Sequence, residues 1–154
     1  MTPAVRRLVE LVSAGLMASI TGVVAFQVLT RYVLQHPAAW PEEAARYLFV
    51  WVALLGGALG VDRGVHFSLD LLTSRFPSRV ASRLAAGIDL ACAAFAALLA
   101  WHGATLAWRV REQPSAALEI PMTWPYAAIP VATLLMAWSL AASARRRWRG
   151  PPPA

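Results

Sequence analysis

The chain has 154 residues, 58% of them hydrophobic and only 14% charged. That apolar fraction is too high for a soluble domain of this size and points to membrane spans. Its 14 basic residues, all arginine, outweigh 8 acids for a net charge of +6, but they cluster beside apolar segments. This placement fits the loop-charge bias of membrane proteins and argues against a phosphate-tracking nucleic-acid surface.

Four apolar segments each approach or exceed the roughly 20 residues needed to cross hydrocarbon. They predict an all-α integral membrane protein with four transmembrane helices, at about residues 8–34, 41–61, 84–108 and 124–143. We read these as one four-helix domain, followed by a basic tail over 144–154 that ends in prolines. The run after Arg6 and Arg7 is far longer than the roughly 7–15 residues of a signal-peptide core, so it is read as a retained first span.

Orientation follows from the arginines. Arg6, Arg7, Arg63, Arg75, Arg79, Arg83, Arg145, Arg146, Arg147 and Arg149 fall on one side, ten against the four at Arg31, Arg46, Arg109 and Arg111. The excess predicts that both termini face the cytoplasm. Tyr32, Trp40, Trp108, Trp124 and Tyr126 then form an aromatic belt at the outer interface, with Trp148 near the inner one.

In the first span Gly15, Ser19 and Gly22 share a face, and in the second Gly56 and Gly60 form a small-xxx-small pair. Such faces let helix backbones approach closely in lipid, and the expectation is packing inside the four-helix unit. The alternative is that one face docks a larger membrane partner.

Pro41, Glu42 and Glu43 open the second span, where proline and negative charge both favour a helix start. Glu42 and Arg46, four apart, can pair on one face. Two readings stay open: a well-capped helix start, or an electrostatic contact for a partner together with Trp51. The next loop mixes Phe67, Leu69, Leu71, Leu72 and Phe76 with Arg63, His66, Asp70 and Arg75, which suggests an amphipathic interfacial element. His66 and Asp70 read as a structural pair or cap, because two ligands without a third do not make a metal site.

Asp89 lies inside the third span, where an ionisable group is a functional candidate by default; it is shallow enough for water or Arg83 to reach. His102 reads as interfacial, Glu10 as equally shallow, and Cys92, the lone cysteine, as a small buried residue. Thr123 is expected to cap the fourth span and Pro130 to bend it. There is no nucleophile elbow, phosphate-cradling glycine loop, metalloprotease motif or cysteine–histidine cluster, so no enzyme, cofactor or metal is expected.

Two runs carry a resemblance. One is Trp40, Glu42, Glu43, Arg46, Tyr47, Trp51, Leu55, Gly56, Gly57 and Ala58, followed by Arg63, Gly64, His66, Phe67 and Asp70. The other is Ala117 to Pro121, Trp124, Tyr126, Pro130 and Val131. With these the chain resembles the DctQ-like small permease subunit of tripartite ATP-independent periplasmic (TRAP) transporters, although Ala132 stands where that family often has glycine. The resemblance implies a non-catalytic scaffold for a large permease subunit that holds the substrate and ion sites. It also implies a periplasmic solute-binding protein that delivers an organic acid or similar solute, with uptake driven by an ion gradient. On this reading Glu42, Glu43 and Arg46 face the periplasm, and His66 and Asp70 shape the cytoplasmic loop.

Two rival classes remain. A small multidrug exporter also has four helices, but needs a deeper acid than Glu10 and no fixed orientation. A haem-bearing anchor needs paired histidines at matched depth, whereas His36 and His66 fall in loops on opposite sides.

Overall fold

The computed structural model describes residues 1–36, 38–64 and 78–149. The described residues form helices, with one isolated antiparallel bridge in a loop. Helix α1 spans Pro3–Val28 and runs on as a wider π turn over Leu29–Val33. Helices α2, Trp40–Asp62, and α3, Ser78–Arg109, follow. A single turn, α4 at Thr123–Tyr126, leads into α5 at Ala128–Arg149. Among the described residues four stretches are long and apolar enough to cross a membrane, and this is a multi-pass membrane protein.

Local chemistry sets the helix ends. Thr2 caps α1, its hydroxyl accepting from the Val5 N–H at 3.4 Å, with Pro3 next. Past the end of α2, Gly64 adopts φ 71°, a left-handed conformation that suits glycine after a helix. Thr123 does not cap the fourth span as expected. The residue before α4 is Met122, and the Thr123 hydroxyl instead donates to the Ala107 carbonyl of α3 at 3.1 Å. In place of the bend expected at Pro130, the helix is interrupted at Ala127, because proline lacks the N–H that would bond to the Tyr126 carbonyl and crowds it sterically.

The helices stand in a row, α1 beside α2, α2 beside α5 and α5 beside α3. Among the described residues the two outermost helices do not touch. The tightest seam joins α3 to α5, where Ala86, Asp89, Ala93, Ala96, Ala100, Gly103 and Ala107 form a buried stripe on α3. A Cβ on Gly103 would lie 2.7 Å from Ile129 Cγ2, so only glycine admits this approach. A second cluster joins α1, α2 and α5 through Val9, Leu55 and Ala132.

This arrangement corrects three expectations. Gly15, Ser19 and Gly22 are exposed, because α1 turns Val9, Ser13, Leu16, Ile20, Val23 and Gln27 toward α2 instead. A Cβ on Gly56 or Gly60 would likewise meet open space, whereas one on Gly57 would lie 3.0 Å from Met136 Cε. Cys92 is exposed rather than buried.

Candidate functional site

The first turns of α2 divide the charged motif between two faces. Starting at Pro41, successive residues are rotated by about 100°, so Glu42 and Glu43 point in different directions. Glu42 and Arg46 lie outward as an ion pair of 3.1 Å, their side chains 69% and 66% exposed. Phe49, Ala53 and Gly56 continue this open face, and half-buried Gly60 follows in register.

Glu43 is turned inward and is only 8% exposed. Its Oε2 accepts the backbone N–H of Ala117 at 2.6 Å and of Leu118 at 3.1 Å. Its Oε1 accepts the Tyr47 hydroxyl, which also lies 3.3 Å from Met122 Sδ. One turn deeper, Trp51 Nε1 donates to the Trp124 carbonyl at 3.1 Å. Residues 43, 47 and 51 thus form one inward stripe, every fourth residue, that grips the loop between α3 and α4 and, through Trp124, α4 itself.

That loop has its own order. Ser115 N–H donates to Ile120 O at 2.9 Å and Met122 N–H to Gln113 O at 3.0 Å, closing a small hairpin. Glu119, at φ 53°, makes its turn. The buried Ser115 hydroxyl faces Glu43 and Tyr47 without completing a hydrogen bond. Arg111, Glu112, Gln113 and Glu119 project from the hairpin, with Arg111 stacked 4.3 Å over the Trp108 ring.

The opposite end of the row is joined by a different set of charges. Glu10 Oε1 bridges Arg6 at 3.1 Å and Arg63 at 3.0 Å, linking α1 to the end of α2. Ser139 of α5 donates to Asp62 Oδ1 at 3.1 Å. Asp89 is 1% exposed, and its Oδ2 lies 3.2 Å from Arg147 Nε of α5. Arg147 therefore holds the position expected of Arg83, and Ser82 secures the same turn by donating to the Arg147 carbonyl at 2.7 Å. His66 and Asp70 lie outside the described residues.

Sequence reasoning named Glu43 and Trp51 but missed their inward grip. It gave Tyr47, Ser115 and Gly103 no role, and merged Arg147 into the tail. The four-residue spacing of Glu43, Tyr47 and Trp51 was the available signal.

A family model described as tripartite ATP-independent periplasmic transporters, DctQ component, matches residues 20–150. The chain is similar to the sialic acid TRAP transporter small permease protein SiaQ of Vibrio cholerae, 27% identical over 82% of this chain and 73% of that protein. The sialic acid TRAP transporter permease protein SiaT of Haemophilus influenzae is 30% identical over 86% of this chain, which spans only 21% of SiaT. The C4-dicarboxylate TRAP transporter small permease protein DctQ of Rhodobacter capsulatus is 36% identical over 63% of this chain and 44% of its own length. With the family model covering most of the sequence, the chain belongs to the DctQ family of TRAP transporter small permease components.

Proposed function

We propose that this chain is the fixed scaffold of a TRAP transporter. It sits in a bacterial inner membrane with both termini cytoplasmic and binds a large permease subunit. The large subunit moves an organic acid or similar solute, delivered by a periplasmic solute-binding protein and driven by an ion gradient. The observation that carries this reading is the row itself. Helices α1 and α3 do not touch, so the described residues form an open row and not a closed bundle around a path for a solute. An elevator-like domain needs a fixed reference to move against, and a stitched row of helices suits that role.

The arginine distribution supports the orientation. The names of the relatives, which include transporters of sialic acid and C4-dicarboxylates, support an organic acid as cargo. We assign the open face of α2, with Glu42, Arg46, Phe49, Ala53, Gly56 and Gly60, to the contact with the large subunit. Glu43 acts indirectly, by holding the hairpin at residues 113–122 toward the periplasm, where the binding protein docks, and Trp51 by anchoring the turn that follows it. Arg63, His66 and Asp70 belong to the cytoplasmic loop, and no cofactor is required.

Reconstituted uptake with the large permease and binding protein tests this. Uptake is expected only when this chain is included; equal uptake without it would discard the scaffold role.

A further inference from the structure

Helix α1 does not finish as a regular helix. The π turn at Leu29–Val33 widens its last turn and buries Thr30, whose hydroxyl donates to the Gln27 carbonyl at 3.0 Å. Such turns insert one extra residue, redirect the side chains around it and often mark functional positions. Between this turn and the entry to α2 lies an open cavity of about 250 Å³, lined by Gln27, Thr30, Arg31, Ala38, Ala39 and Glu42.

Its depth in the membrane can be read from the helix. From Glu10 to Arg31 an α-helix rises about 32 Å, close to the thickness of the hydrocarbon layer. The cavity therefore opens at headgroup level in the leaflet opposite Glu10. Next to its lining residues in sequence, Phe26 and Trp40 bring their rings within 5.5 Å of each other, and aromatic side chains favour a membrane interface. Exposed Val24 of α1, one turn before Gln27, and Phe49 of α2, two turns after Glu42, continue deeper as apolar surface along which acyl chains can lie.

The walls carry opposite charges. Among the described residues no carboxylate lies within ion-pair distance of Arg31, whose guanidinium rests 5.7 Å from the Tyr32 ring centroid. Glu42 is bound to Arg46 through one oxygen only and remains largely exposed. A purely anionic headgroup meets the Glu42 carboxylate, and a quaternary ammonium has no N–H to donate to it. A headgroup with both a phosphate and a primary ammonium satisfies both walls.

We propose that this cavity binds a phosphoethanolamine headgroup of a membrane phospholipid, its phosphate on Arg31 and its ammonium on Glu42. Glu42 and Phe49 also belong to the face assigned to the large subunit, so the lipid would sit at the edge of that contact; the site is tested on this chain alone, where its failure leaves the scaffold role untouched. The full-length protein, delipidated in detergent, is titrated with phosphatidylethanolamine, phosphatidylglycerol and phosphatidylcholine of matched acyl chains and followed by native mass spectrometry. Phosphatidylethanolamine should be retained about fivefold over either competitor, the scale of one interfacial charge contact. Arg31→Gln should lower retention of all three lipids, whose phosphate Arg31 holds, while Arg31→Lys keeps it, which separates lost charge from lost folding. Glu42→Gln should erase the discrimination against phosphatidylcholine. Equal retention of the three lipids, unchanged retention in Arg31→Gln, or unchanged preference in Glu42→Gln overturns the proposal. So does displacement by free phosphoethanolamine or inorganic phosphate, which would indicate a site for soluble ions.

Discussion

The carboxylate of Glu43, in the first turn of α2, is hydrogen-bonded at 2.6 Å to the backbone N–H of Ala117, 74 residues later in the chain. This contact ties the start of one span to the hairpin that precedes another. It explains why two adjacent glutamates in one motif have separate roles, Glu43 inside and Glu42 outside.

The hairpin therefore depends on Glu43 and its supporting hydroxyl. Tyr47→Phe removes one hydrogen bond and should lower stability by about 0.5–1.5 kcal/mol. Glu43→Ala should cost more, because it orphans the Ala117 and Leu118 N–H groups together. Thermal unfolding in detergent, with the rate of proteolysis within residues 111–121, reads both effects. Glu42→Ala, at an exposed ion pair, should change neither.

Two kinds of glycine should respond differently to a methyl group. Gly103→Ala places a carbon against Ile129 and Pro130 and should destabilise the α3–α5 seam by about 1–3 kcal/mol. Gly56→Ala meets nothing and should leave the isolated chain unchanged. Melting curves of the two variants side by side check this.

The Asp89–Arg147 pair is the third test. Asp89→Asn leaves a partly exposed guanidinium facing a neutral group, with an expected loss of about 1–3 kcal/mol, less than for a fully buried pair. Arg147→Gln should lose a similar amount. The double variant should cost less than the sum of the two, and a double-mutant cycle on melting temperature measures that coupling.

Much of the fold is legible in the amino-acid sequence, because hydropathy over about 20 residues reports crossing a bilayer whatever the neighbours. The order of the row is not. Gly15, Ser19 and Gly22 look as ready to pack as the stripe from Ala86 to Ala107, yet only the second has a helix beside it. Alanine and leucine dominate the third span, so its packing face blends into its composition. Asp89 stands out as a buried acid, but Arg147 does not, since Arg145, Arg146 and Arg147 are chemically identical until the fold brings one of them to α3. The same holds for Glu43, whose partners are backbone N–H groups that no side-chain pattern reveals.

The most direct test of the account is photo-crosslinking from the open face of α2 in cells that also express the large permease. A photoreactive residue at Ala53 or Gly56 should form an adduct with the large subunit, while one at Leu16, turned toward α2, should not. Adducts to lipid alone from both α2 positions would contradict the assigned face, and failure of the two subunits to co-purify at all would contradict the scaffold itself.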